Sequence, residues 1–230
     1  MKIYSISDLH LSINSNKPMD IFGPVWDNYF DDIKADWINK VSNDDIVLMC
    51  GDLSWAMKLD KAIEDINLLN ELPGKKIIIK GNHDYWWQSL SALRRALPEN
   101  FYCLQNDAIK IGNYIFCGTR LWNFPSGKLN TAENVKIFER EKIRLDLTLS
   151  SAKRLQTNDE KIICLLHYPP VESTLLDNDI TNLIEKYGVD TVVFGHIHNK
   201  SYLPLKFQKN GINYFLTSCD IVKNELILIK

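Results

Sequence analysis

Short runs rich in β-branched and other apolar residues recur along this chain, and most of them break off into a small polar cluster. They cover residues 3–7, 46–50, 77–80, 114–117, 162–166 and 191–194. Helical patterns lie between several of them, and such alternation favours an α/β architecture. Residues 25–40 place Tyr29, Ile33, Trp37 and Val41 at steps of four, with Asp31, Asp32, Lys34 and Asp36 free to face water. A second helix is predicted over 58–72, stopped by Pro73-Gly74 because proline breaks the hydrogen-bond ladder and glycine tolerates the terminal turn. The longest pattern, 131–155, follows a loop at 122–127 and carries Val135, Phe138, Leu145, Leu149 and Ala152 on one stripe, broken by Lys142. Packing across the body is the expected role of this helix, with a place beside or over a site as the alternative. Two late runs, 214–217 and 226–229, read as strand-turn-strand and are expected to extend a second sheet.

At 230 residues the chain has enough length for a substantial core, and one domain spanning 1–230 is the expectation. Lys plus Arg number 27 against 29 for Asp plus Glu, so there is no global electrostatic footprint for nucleic acid. The first apolar stretch is too short for a secretory core, and no run approaches the roughly 18 apolar residues of a membrane span. A cytoplasmic location without membrane insertion is therefore expected. Cys50, Cys103, Cys117, Cys164 and Cys219 fall mostly in apolar runs and show no C-x-x-C spacing, which reads as buried thiols in a reducing compartment.

The polar clusters that end the strands contain all five histidines: Asp8-x-His10, Gly81-Asn82-His83-Asp84, His167 and Gly195-His196-x-His198, with Gly51-Asp52 as a further cluster. In open α/β sheets the carboxyl ends of strands converge on one crevice, so these clusters describe a single site. In an extended segment residues two apart share a side, so Asp8 with His10, and His196 with His198, are each expected to present two ligands inward. Gly51, Gly81 and Gly195 permit a sharp turn and close backbone approach. Carboxylates, imidazoles and one amide oxygen suit Mn, Fe or Zn better than a thiolate or all-oxygen site does. The donors outnumber one coordination shell, so two cations are expected, with Mn ahead of Fe and Zn.

These blocks, in this order, resemble the signature of the calcineurin-like metallophosphoesterases: D-x-H, G-D, G-N-H-D or G-N-H-E, H, and G-H-x-H. The resemblance runs from Asp8 to His198. It implies a four-layer αββα sandwich with two mixed β-sheets. It also implies one ion held by Asp8, His10, Asp52 and His198 and a second by Asp52, Asn82, His167 and His196, with Asp52 bridging. The implied reaction is hydrolysis of a phosphate ester by water or hydroxide activated at the paired ions. His83 would stabilise the transferring phosphoryl group or protonate the leaving oxygen, and Asp84 would orient it. The chain departs from the serine/threonine phosphatases, which extend G-D to G-D-x-x-D-R-G; here the residues are Gly51-Asp52-Leu53-Ser54-Trp55. A compact bacterial-type phosphohydrolase or phosphodiesterase is the nearer resemblance.

Asn82, His83, Arg120 and Tyr168 are the expected substrate contacts. Arg120 is singled out because guanidinium donates two aligned hydrogen bonds to a phosphate. Trp55, Tyr85, Trp122 and Phe124 are candidates for a stacking wall, while Trp86 and Trp87 are expected in the core. A small phosphodiester or phosphomonoester is the expected substrate. The alternatives are a nuclease, which the neutral charge balance disfavours, and a non-catalytic metal-dependent scaffold. Oligomeric state is not legible.

Overall fold

A computed structural model describes residues 1–13 and 17–230. In chain order it contains β1 (Ile3–Ser5), α1 (Tyr29–Lys40), β2 (Ile46–Met49), α2 (Leu59–Asn70), β3 (Lys75–Ile79), α3 (Leu90–Ala96), β4 (Phe101–Leu104), β5 (Asp107–Ile111) and β6 (Tyr114–Thr119). Then follow α4 (Ala132–Leu155), β7 (Lys161–Leu166), α5 (Asp179–Lys186), β8 (Thr191–Phe194), β9 (Lys206–Lys209), β10 (Ile212–Leu216) and β11 (Ile227–Leu228). Among the described residues the strands form two sheets, ordered β11-β1-β2-β3-β4 and β5-β6-β7-β8-β10-β9. Their central strands run parallel, and β11, β5 and β9 are antiparallel edges.

Three apolar layers hold this arrangement. Side chains alternate along a strand, so Ile46 and Leu48 of β2 point into the layer between the sheets, where they meet Phe116, Ile163, Leu165 and Val193. Val47 and Met49 point the other way, toward Ile33 and Trp37 of α1, Ile66 of α2 and Leu93 of α3. On the far side, Ile162, Cys164 and Leu166 of β7 pack against Leu145 and Leu149 of α4 and Ile180 and Ile184 of α5. The result is a four-layer αββα sandwich with two mixed sheets. Strands covered on both faces carry continuous apolar sequence, which is why β2, β7 and β8 stand out so clearly.

Several local expectations need correction. Helix α1 begins at Tyr29 rather than at 25, because Pro24–Trp26 forms a 3-10 turn and Asn28 is left-handed at φ 54°. The runs near 214 and 226 are both strands but do not pair: β10 lies parallel to β8 in the second sheet, while β11 closes the edge of the first. The buried stripe of α4 is Phe138, Glu141, Leu145, Thr148, Leu149 and Ala152, so the charge that enters the core is Glu141. Lys142 instead pairs outside with Glu139 and Asp179, and Val135 is 38% exposed. α4 packs on the second sheet: Thr148 Oγ1 accepts from Gly118 N at 3.0 Å and donates to Asp107 O at 2.6 Å.

Candidate metal centre

The carboxyl ends of β1, β2, β3, β7 and β8, drawn from both sheets, deliver the five clusters to one place. Asp8, His10 and His198 bring donor atoms within 4.8 Å of one another, and Asp52, His167 and His196 do the same. Asp52 Oδ2 lies 3.9 Å from His10 Nε2 and 3.5 Å from His167 Nε2, so one carboxylate stands between the two groups. Asn82 Oδ1 is 2.7 Å from His167 Nε2.

The inward aim of these side chains is not the alternation of an extended strand. Asp8, His10, Asp52 and His196 are all left-handed, at φ 59°, 47°, 52° and 71°. For residues with a Cβ this costs on the order of 1–3 kcal/mol each, and surrounding bonds hold it in place. Asp8 N donates to Gly51 O at 3.0 Å, His10 N to Asp52 O at 3.0 Å, and His196 N to both Asp8 oxygens at 3.1 Å. Gly81 and Gly195 serve by close approach: a Cβ on Gly81 would strike the Asp52 carboxylate, and one on Gly195 the Asp8 carboxylate. Gly51 supplies the turn, at φ 97°.

The charge pattern is that of a donor set built for cations. Burial, reinforced by Asp52 and opposed by His198, holds the Asp8 carboxyl well above the usual carboxylate range. Burial raises Asp52 as well, against the pull of the His83 N–H. Burial and neighbouring imidazoles depress His10, and burial first, then the other histidines, takes His196 down to about 3. His167 is also held near 3, chiefly by burial, and is therefore a neutral imidazole with one N–H. Its Nδ1 lies 2.8 Å from the Cys50 carbonyl, which can only accept, so the proton sits there. The bare Nε2 lone pair then faces the Asn82 and Asp52 oxygens, an arrangement that a cation satisfies. His198 is built alike: Nδ1 is 2.9 Å from Asp220 Oδ1, and Nε2 points at Asp8 Oδ1, 3.7 Å away, and His10 Nε2, 3.4 Å away. Burial opposes the charged form of His198, but Asp220 and Asp8 outweigh it and lift the pKa to about 9. The donor set thus fits divalent ions, in two clusters.

Asp220 follows β10 and was missed by sequence reasoning, although a carboxylate just past an apolar run is the same signal that marks Asp8 and Asp52. Trp26, edge-on to His10 at 6.2 Å, was also missed. The expected role of Asp84 does not match its contacts. Its buried carboxylate accepts from the backbone of Gly81, Asp52, Leu53 and Ser54 and from Trp86 Nε1, so it fixes the loops that carry Asp52 and Asn82 instead of steering the His83 ring. Burial, then Asp52, pushes its carboxyl upward.

His83 lines a cavity of about 220 Å³ with His10, Asp52, Trp26, Trp55 and Phe22. Its ring centroid is 4.5 Å from that of Trp55, and its N–H donates to Asp52 Oδ1 at 2.7 Å. Tyr168 is 4% exposed and packs on His196, centroids 4.0 Å apart, so it buttresses that imidazole. Burial takes its hydroxyl up to about 12. Arg120 follows β6; its guanidinium lies 4.7 Å over the Trp122 ring and 3.4 Å from Glu141 Oε1. Tyr85 is 57% exposed beside His83, Phe124 packs on Phe138, and Trp86 and Trp87 are core. All five cysteines are buried and unpaired, and no described helix is long and apolar enough to cross a membrane.

The fold recurs in solved structures. "Phosphopantetheinyl Hydrolase (PptH)" from Mycobacterium tuberculosis is similar with a TM-score of 0.55 at 15% identity, over 99% of this chain and 95% of that one. TT1561 of Thermus thermophilus gives 0.55 at 12% identity, over 99% and 97%. AQ665 from Aquifex aeolicus, a protein of unknown function, gives 0.51 at 15%, over 99% and 95%. At these identities the likeness speaks to the fold alone. No curated protein sequence matches the chain. The profile described as calcineurin-like phosphoesterase matches residues 1–200. With that match over most of its length, the chain belongs to the calcineurin-like phosphoesterase family and is a metal-dependent phosphoesterase.

Proposed function

We propose that the chain, acting as one domain over 1–230, hydrolyses a small phosphodiester or phosphomonoester at a dinuclear centre. Asp8, His10, Asp52 and His198 hold one ion, and Asp52, Asn82, His167 and His196 hold the other. Mn is the favoured metal, ahead of Fe and Zn, for this mixture of oxygen and imidazole donors. When bound, the ions supply Lewis acidity and a lowered pKa for water. The observation that carries this reading is the His167 Nε2 lone pair, fixed by the Cys50 carbonyl and turned at Asn82 and Asp52.

The chain's own residues do the rest. Asp52 turns Oδ2 toward both groups while Oδ1 accepts the His83 backbone N–H. The His83 ring, on the cavity wall, donates a proton to the leaving oxygen. Arg120 steadies a non-bridging phosphate oxygen, held in place by its stacking on Trp122. Trp26, Trp55 and Phe22 receive the organic part of the ester and keep water from it. Five buried thiols fit a reducing cytoplasm.

The test is a hydrolysis screen of bis(4-nitrophenyl) phosphate, 4-nitrophenyl phosphate, cyclic nucleotides and single-stranded DNA, with Mn, Fe, Zn, Co or Ni. Turnover of a small ester that His83→Ala lowers by about 100-fold or more supports the reading. Inactivity toward every ester by protein confirmed to hold two ions overturns it in favour of a scaffold.

A further inference from the structure

We propose that Lys80 and Arg144, with Arg120 shared at its edge, extend the site into an anion subsite beside the metal ligands, which takes a second phosphate group of the substrate. The assignment of that group to a substrate rests on the phosphoesterase reading above.

The subsite is built at a close contact between the two sheets. Gly118 of β6 lies against Ile79 of β3, and a Cβ there would meet Ile79 Cγ2 at 2.7 Å. Lys80 is the residue after Ile79 and Arg120 lies two beyond Gly118, so both leave their strands at the same end of this contact. Both adjoin the metal ligands: Lys80 is two residues from Asn82, and the Arg120 carbonyl accepts from His167 N at 3.2 Å and Tyr168 N at 3.0 Å. Helix α4 completes the group from the outer layer. Its buried Glu141 offers one oxygen, Oε1, to Arg144 at 2.6 Å, Arg120 at 3.4 Å and Arg140 at 3.8 Å. Glu141 Oε2 is buried without a hydrogen-bond partner in the described structure.

The cations exceed the anions here. Elsewhere bases meet an equal or larger number of acids, as in Arg94 with Asp107 or Lys142 with Glu139 and Asp179. At Glu141 three guanidinium groups converge on one carboxylate. The Lys80 ammonium, half-buried and within the field of Arg120 and Arg144, has no hydrogen bond or ion pair among the described residues. Asp84, the other anion that Lys80 feels, is occupied by the donors described above. Clustered like charges in a partly dry setting repel strongly, and a multiply charged anion relieves that repulsion. A phosphate suits the site because its three free oxygens can meet a guanidinium fork and an ammonium together.

The test is calorimetric binding of AMP and ADP to the Mn-loaded protein at fixed free Mn, a pair that differs by one phosphate. ADP is expected to bind roughly tenfold tighter than AMP. That ratio should collapse toward one in Arg144→Gln and in Lys80→Gln, the second of which leaves the partners of Glu141 in place, and should largely survive in Arg144→Lys. Equal binding of the two nucleotides by the native protein, or a preference unchanged in Lys80→Gln at native melting temperature, overturns the subsite. Displacement of ADP by single-stranded DNA at lower phosphate concentration overturns its assignment to a small substrate. Hydrolysis of bis(4-nitrophenyl) phosphate separates the two readings. Turnover without the ADP preference sinks the subsite alone, and the preference without any turnover sinks the phosphoesterase reading while the anion site stands.

Discussion

The two halves of the candidate metal centre use the same donor chemistry but are held in different ways. Around Asp8, His10 and His198 the surroundings are aromatic and anionic: His10 stacks on Trp55 with centroids 4.8 Å apart, and His198 is backed by the Asp220 carboxylate. Around Asp52, His167 and His196 the support is a neutral backbone carbonyl, that of Cys50, together with the neutral Tyr168 ring, and the neighbouring charge is the cation Arg120. A carboxylate behind an imidazole makes it a more basic ligand, whereas a nearby guanidinium works against a bound cation. If each half takes an ion, the first should hold it more tightly, while the second lies in the field of Arg120.

The sharpest way to break this contrast is Asp52→Asn, because that carboxylate lies between both halves. Both ions should be lost together and hydrolysis should fall by well over the roughly 10–100-fold expected for a supporting residue; two ions retained in elemental analysis would rule out the shared role. Asp220→Asn should act on one half only. Metal titration of the native protein is expected to show a tight and a weaker phase, and this variant should weaken the tight phase about 10–100-fold and spare the other. A uniform loss would show that the halves are not independent. Trp55→Ala probes the aromatic side, where KM for aryl phosphates should rise about threefold to tenfold with little change in kcat; a fall in kcat alone would assign Trp55 to the support of His10.

The smallest effect is electrostatic. In metal-free protein, His198 has its pKa raised to about 9 from an ordinary 6.5, so its contribution to stability is complete below pH 6.5 and is lost as pH rises toward 9. The raised Asp8 carboxyl adds in the same direction, since it is ionised more readily in the unfolded chain. Metal-free protein should therefore lose a few degrees of melting temperature, on the order of 1–2 kcal/mol, between pH 6.5 and 8. Mn-loaded protein should show a flatter profile, because the ions replace those protons. A profile as steep with metal as without would place the titrating groups away from the ion sites.

Much of this centre was legible because its donors cluster where apolar runs stop, and a parallel sheet sends all such ends to one side. Asp220 escaped because it lies beyond the last recognisable block, at His198, and reaches the site only through the pairing of β10 with β8. Glu141 escaped because a buried carboxylate reads as a solvent-facing residue, which left its neighbour Lys142 as the apparent break in the α4 stripe. The direction of Asp8 and His10 was expected for the wrong reason: strand β1 has ended before them, and left-handed backbone turns them inward. In the fold, most doubly covered strands were plain, but β4, β5 and β9 were not: β4 is only four residues long, and the edge strands break their apolar residues with polar ones, as in Lys206-Phe207-Gln208-Lys209.

The bare α-carbons of Gly81 and Gly195 bear on how this scaffold can be remade. Each leaves only enough room for the carboxylate pressed against it, so the spacing of the two donor clusters is fixed partly by atoms that are not there. A designer retuning the protein for another cation could trade imidazole for carboxylate at several ligands, yet even alanine at these two positions would displace a donor. The least chemically endowed residues of the centre are thus the ones with the least freedom to vary.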